Sequence, residues 1–432
     1  MKYFSLYRNS PEVSFKEAVI KGLAPDKGLY YPSEISKLPV NFFRRIEGLE
    51  NETIAYEVIK QFIGDEIPEN NLKQIITEVL SFEFPLVELD TRISSLELYH
   101  GPTLAFKDVG ARFMARCLGY FNSKMVTKEE VTVLVATSGD TGGAVANGFY
   151  EVEGVDVVIL YPSGKVSDIQ EKQLTTLGKN IRAIEVDGTF DDCQTMVKRA
   201  FSDQDFDGKR NLTSANSINV SRWLPQMFYY FFAYKQLKSK GKELVFSVPS
   251  GNFGNICAGM MAQKLGLPVN HFVTGTNINN IVPEYLKTGS YLPKPSKATI
   301  SNAMDVGAPS NFIRIQELYG NDLLELRKNL SGYSYTDTET IDAMQYLFNE
   351  KNYIADPHGA IGYLALEKYL RGKSNLEGVF LETAHPVKFQ DVIPSEISEK
   401  ITIPESIKKI LNKEKKVKKL STYEALKAYL LS

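Results

Sequence analysis

The sequence predicts an α/β protein built on mainly parallel sheet. From about residue 95, β-branched apolar runs alternate with helical runs, and such alternation implies βα units. Two of the strand-to-helix turns are glycine-rich, "ATSGDTGGA" at 136–144 and "VPSGNFGN" at 248–255. At 432 residues the chain exceeds one ordinary core, so two or three domains are expected.

Residues 1–94 read as a mostly helical N-terminal domain. In "IPENNLKQIITEVLSF", Leu72, Ile75, Ile76, Val79 and Leu80 fall on one helical face. "GLAPDKGLYYP" is a turn-rich loop. "SLELYH" then alternates as a strand. "VTVLVATSGDTGGAVANGFY", "VDVVILYPSG" with "KVSDIQEKQLTTLG", "IRAIEVDGTFDDCQTMVKRAF" and "KELVFSVPSGNFGNICAGMMAQKLG" each give a strand followed by a helix, and "GVFLETAHPVKF" supplies a late strand. Residues 95–125 and 215–400 are expected to form a large domain and 126–214 a small mobile α/β domain. The last stretch, 401–432, is expected to be a basic helical tail. Its seven lysines between Lys408 and Lys419 read as a solvated helical face, and Ser421 with Glu424 as a capping box.

Composition excludes several classes. A formal net charge of −2 gives no electrostatic case for nucleic acid or an anionic membrane. The three cysteines are far apart, which fits a reducing cytoplasm. The four histidines lack metal-ligand spacing, so no metal site is expected. The N-terminus has no apolar signal core, and no apolar run approaches a membrane span.

The chemistry concentrates in three places. "VPSGNFGN" places free backbone N–H groups and the positive end of a helix dipole where a phosphate monoester could sit. It has no Walker lysine and no GxGxxG spacing. "ATSGDTGGA" offers Thr137, Ser138 and Thr141 hydroxyls beside another helix start, which suits a carboxylate or second phosphate. Taken alone, either loop is equally well a tight βα turn without ligand. "LYHGPTLAFKDVGARF", residues 98–113, sets Lys107 between Phe106 and Asp108 at a helix start. Desolvation and a nearby positive dipole favour a neutral amine there. Two anion cradles and such a lysine suit pyridoxal 5'-phosphate acting on an amino acid.

"HGPTLAFKD" resembles the lysine motif of threonine synthases, in the branch of pyridoxal-phosphate enzymes that also holds tryptophan synthase β. "TSGDTGGA", "YPSGKVSDIQEKQLTTLG", "SANSINVSRWLPQ", "SGNFGN", "DPHGAIG" and "ETAHPVKF" follow in the family's order. The resemblance runs from about residue 14 to about 390. It implies two open, mainly parallel sheets flanked by helices, the type II fold of these enzymes. It implies Lys107 as the Schiff-base lysine, Gly251, Asn252, Phe253, Gly254 and Asn255 around the cofactor phosphate, and Thr383 facing the pyridine nitrogen. Ser138, Gly139, Asp140 and Thr141 map onto the substrate carboxylate loop, with the role of Asp140 itself left open. Ser217, Asn219 and Arg222 are assigned to the substrate phosphate, since an arginine forks around phosphate oxygens. His100 and His385 are taken as motif residues near the cofactor, and His271 and His358 as structural. "SLYRN" at 5–9 departs from the family's "STRG" string, so no substrate contact is carried over to Arg8.

The implied activity converts O-phospho-L-homoserine and water to L-threonine and phosphate, in the cytoplasm, by a monomer or weak homodimer. A phospho-lyase of the same family, releasing a 2-oxo acid and ammonia, is the near alternative. A nucleotide-binding Rossmann protein is the distant one.

Overall fold

The computed structural model describes residues 1–125 and 130–432. The chain groups into two compact units. One comprises residue 1, Tyr31–Phe106 and Trp223–Thr402; the other comprises Lys2–Tyr30, Lys107–Arg222 and Ile403–Ser432. These units cut the chain differently from the four expected pieces. The segments 2–30, 107–125, 215–222 and 403–432 join the expected 126–214 domain, whose first four residues lie outside the described ones.

The first unit is built on a six-stranded sheet. Its spatial order is Leu330–Ser334, Val269–Thr276, Glu243–Pro249, Leu376–Glu382, Ile93–Glu97, Leu86–Asp90. All neighbours are parallel except the last two strands, which form an antiparallel edge pair. The central strands, "LVFSVP" and "LEGVFLE", are buried on both faces, and continuous apolar runs are what a covered parallel sheet requires. The helix Pro357–Leu370 covers one face, where the Ser247 hydroxyl donates to the Gly362 carbonyl at 2.6 Å. In the helix Glu69–Val79 the expected face is buried, with Leu80 buried as the residue that ends it.

The second unit holds a five-stranded sheet, all parallel, in the order Val417–Leu420, Ile181–Val186, Val155–Pro162, Val131–Ala136, Asn211–Thr213. Leu134, Val158, Leu160 and Ile184 form a core with Cys193 and Val197 of the helix Phe190–Ala200 and with Leu426 and Leu430 of the helix Tyr423–Leu431.

The C-terminal stretch departs from the expected helical tail. After the helix Glu405–Leu411 the lysine run becomes the strand Val417–Leu420 at the sheet edge. Lys418 and Lys419 are exposed there, with Lys419 Nζ 3.3 Å from Glu185. Lysines on an edge strand discourage pairing with a further chain. The cap of the last helix is Thr422, whose hydroxyl accepts the Ala425 N–H, rather than Ser421.

Candidate active site

Lys107 is the first residue of the helix Lys107–Ser123. The segment before it is clipped to the end of the strand Leu376–Glu382. Phe106 N–H donates to the Thr383 carbonyl at 2.9 Å, His385 N–H to the Leu104 carbonyl at 3.1 Å, and Ala105 and Ala384 form an antiparallel bridge. Leu104 takes a left-handed φ of 59° to make this turn. The backbone of the lysine motif is therefore fixed against Thr383 one residue before Lys107.

The Lys107 side chain is 18% exposed, and its Nζ lies 3.8 Å from Asp140 Oδ2. Asp140 opens the helix Asp140–Phe149 and is 4% exposed. The turn before it is knit by the buried Thr137 hydroxyl. This accepts the N–H groups of Gly139 and Gly142, each at 2.9 Å, and donates to the Gly139 carbonyl. Gly139 has φ 139°, a conformation that favours glycine. Asp140 Oδ1 accepts from Gln170 Nε2 at 3.0 Å. Ser138 and Thr141 are half-buried on the same turn. Asp140 thus faces an ammonium and an amide donor, which removes the difficulty of an unpartnered buried carboxylate.

Of the three residues assigned to a substrate phosphate, Asn219 does not fit the part. It is fully buried and both ends of its amide are taken by protein: Nδ2 donates to Val19 and Ser214 carbonyls, and Oδ1 accepts from Ser221 N–H and Oγ. It braces the loop. Its polarity and its place in the motif suggested a ligand, and the sequence carries no signal for the distant Val19 partner. Ser217 is half-buried. Arg222 is 2% exposed and donates through Nη1 to the Ala215 carbonyl. Gly110 makes room for it: a Cβ there would meet the Arg222 carbonyl oxygen at 2.5 Å.

The loop after the strand Glu243–Pro249 leads into the helix Gly254–Lys264, with Gly254 its first residue. Phe253 adopts a left-handed φ of 60°, which turns the chain into the helix. A Cβ on Gly251 would lie 2.6 Å from the Ala303 carbonyl oxygen and 2.9 Å from Met304 Cα. Asn252 is held by Asn311 N–H on its carbonyl and by the Ser310 hydroxyl on its Oδ1. Asn255 Oδ1 accepts from Tyr230 at 2.8 Å, while its buried Nδ2 has no partner among the described residues. A buried donor left open in a loop of backbone N–H groups matches an anionic oxygen, so the residues present fit a cofactor phosphate.

His358 supports this loop, as its structural assignment implies. Its Nδ1 bonds Asp356 at 2.6 Å and its Nε2 accepts Ala303 N–H at 3.2 Å, beside Gly251. Thr383 is buried at the end of its strand, next to Glu382. Glu382 is wholly buried and, with Asp356 nearby, burial holds its carboxyl well above the usual range. A Cβ on Gly359 would collide with Glu382 Oε2. His385 accepts Val387 N–H through Nδ1, and burial lowers its pKa to about 4. His100 bonds Glu97 at 2.8 Å. Sequence reasoning missed Gln170 and Glu382. "SDIQ" does spell a capping box, but nothing in it points to Asp140.

Among the described residues there is no group of side chains that could hold a metal ion, and no helix is long and apolar enough to cross a membrane. A family model for pyridoxal-phosphate-dependent enzymes matches residues 85–379. Models for the threonine synthase N terminus and C-terminal region match residues 2–80 and 359–430. The threonine synthase of Escherichia coli is 42% identical over 408 residues, 94% of each chain. The chain belongs to the threonine synthase family. The crystal structure of the Escherichia coli enzyme superposes with a TM-score of 0.93 at 40% identity, covering 100% of this chain and 99% of that one. A pyridoxal-phosphate-bound threonine synthase from Brucella melitensis gives 0.92 at 33% identity with the same coverage. The two open sheets are those of the type II fold, as the motifs implied, and this is a pyridoxal-phosphate-dependent enzyme of threonine biosynthesis.

Proposed function

We propose that the chain converts O-phospho-L-homoserine and water to L-threonine and phosphate, with Lys107 as its cofactor-bonding lysine and proton carrier. The observation that carries this is the Lys107 amine, at a helix start whose preceding residue Phe106 is bonded to Thr383, 3.8 Å from the buried Asp140. In this reading Gly251, Asn252, Phe253, Gly254 and Asn255 hold the phosphate of pyridoxal 5'-phosphate. Thr383 offers its hydroxyl to the ring nitrogen; a neutral partner does not force that nitrogen to be protonated as a carboxylate would. When bound, the cofactor supplies an electron sink for charge developing at the substrate's Cα.

The chain's own residues do the rest. Backbone N–H groups and hydroxyls of Ser138, Gly139, Asp140 and Thr141 hold the substrate carboxylate. Ser217 and Arg222 hold its phosphate, with Asn219 bracing their loop. Lys107, as a free amine, would remove the proton at Cα and then one at Cβ. Phosphate leaves from Cγ, Cγ regains a proton, water gives its hydroxyl to Cβ, and Cα regains a proton. Three free, buried cysteines fit a reducing cytoplasm, and the enzyme works there as a monomer or weak homodimer. The test is to incubate the cofactor-loaded protein with O-phospho-L-homoserine and identify the products. Threonine and phosphate in equal amounts support the proposal. 2-Oxobutyrate with ammonia and phosphate would make it a phospho-lyase.

A further inference from the structure

Gln170 lies outside every part of the site assigned so far. It is the third residue of the helix Asp168–Thr175 and is 1% exposed. Its carboxamide is held at both ends. Oε1 accepts Ser167 N–H at 3.2 Å, completing the capping box of that helix, and Nε2 donates to Asp140 Oδ1 at 3.0 Å. It is also packed flat on Gly139, where an added Cβ would lie 2.4–2.5 Å from the carboxamide carbon, nitrogen and oxygen. No other side chain than glycine's leaves that space, and the φ of 139° at Gly139 demands the same residue. One side chain therefore ties together two helix starts.

The consequence falls on Asp140. A carboxylate has two oxygens, and fixing one fixes the direction of the other. With Oδ1 on Gln170, Oδ2 is turned toward Lys107 Nζ. We propose that Gln170 is a positioning residue that aims Asp140 at Lys107, so that in the cofactor-free protein the lysine is held as a charged, parked ammonium. The role deepens the function proposed above and rests on its reading of Lys107. It also gives a part to Asp140, whose role the resemblance left open. An amide suits this position because it donates to Asp140 without adding charge beside a buried carboxylate, whereas a glutamate would place two carboxylates together.

The test reads the Lys107 amine directly. The full-length chain is freed of cofactor, shown folded by circular dichroism, and treated with limiting acetic anhydride at about pH 8. Acetylation of Lys107 is followed by peptide mass spectrometry. Asp140→Asn should speed labelling roughly tenfold or more, because an opposite charge within this distance is worth a unit or more of proton affinity. Gln170→Met fills the same space without a donor, and should give a part of that gain, roughly three- to fivefold on the same scale. In the Asp140→Asn background Gln170→Met should add nothing, since residues acting through one another are non-additive. Gln170→Asn, too short to reach both partners, serves if the methionine variant does not fold. Ser167→Ala weakens the same helix cap and leaves the Gln170 carboxamide, so it should leave Lys107 labelling unchanged. Parental labelling in both Gln170 variants overturns the proposal. So does additivity with Asp140→Asn, or an equal response to Ser167→Ala. If borohydride instead attaches the cofactor to another lysine, the functional reading of Lys107 fails while this labelling cycle still stands or falls by itself.

Discussion

Arg222 carries the substrate assignment most directly exposed to a single substitution. Its guanidinium is buried and already donates to the Ala215 carbonyl, so it is pre-oriented, and a planar fork held this way suits phosphate oxygens. Arg222→Ala should lower kcat/KM for O-phosphohomoserine by more than roughly tenfold, since a charge-assisted bond contributes on the order of 1.5–3 kcal/mol. Arg222→Lys should recover only part, keeping the charge and losing the fork. The visible absorption of the bound cofactor should stay intact in both. Loss of that absorption would move Arg222 to the cofactor's surroundings, and parental turnover would place the phosphate elsewhere. At this scale the sequence was legible wherever a residue's neighbours in the chain are also its neighbours in space. The turn at 138–141 is of that kind, since Thr137 bonds Gly139 and Gly142. Asn219 and Gln170 are not: their partners lie 200 and 30 residues away, and no local pattern encodes such a bond.

Glycine-rich turns and buried strands decide most at the level of elements. The loop 250–255 links a strand buried on both faces to a helix start, and a Cβ on Gly251 would press on the backbone of residues 303–304. Gly251→Val should therefore reduce cofactor retention after dialysis, because the new Cβ can be housed only by displacing residues 303–304. Full retention in a folded variant would mean that the phosphate lies elsewhere. The βα alternation was readable because a strand covered on both faces must be apolar along its whole length. The edge strand Val417–Leu420 was not readable for the converse reason. It has one neighbour, Ile181–Val186, and its exposed lysines satisfy the needs of an edge while imitating a solvated helix. The division into units was hidden too, since segments 2–30 and 403–432 join residues 107–222 across long intervening stretches that belong to the other unit.

For the molecule as a whole, acid sensitivity follows from buried neutral histidines. His271 donates through Nδ1 to the Lys328 carbonyl, accepts from Ser331 through Nε2, and burial lowers its pKa to about 4. His385 is lowered likewise. In the unfolded chain a histidine protonates near 6.5. Between about pH 6.5 and 4 the unfolded state therefore binds more protons, and these two groups withdraw stability as pH falls. Asp305 works the other way. Burial raises its pKa to about 6, so its folded carboxyl takes up a proton first and adds stability as pH falls. The net slope mixes both, and a difference isolates one. His271→Gln should lose less stability than the parent between pH 7 and pH 4.5, by roughly 2–3 kcal/mol at most, read from urea midpoints. Parallel slopes would mean that His271 is not held neutral. The whole mechanism turns on one lysine. Borohydride reduction of the cofactor-loaded protein, followed by peptide mapping, tests it most directly. The pyridoxyl label is predicted on Lys107 alone; a label on any other lysine, or none on a yellow, loaded sample, contradicts it.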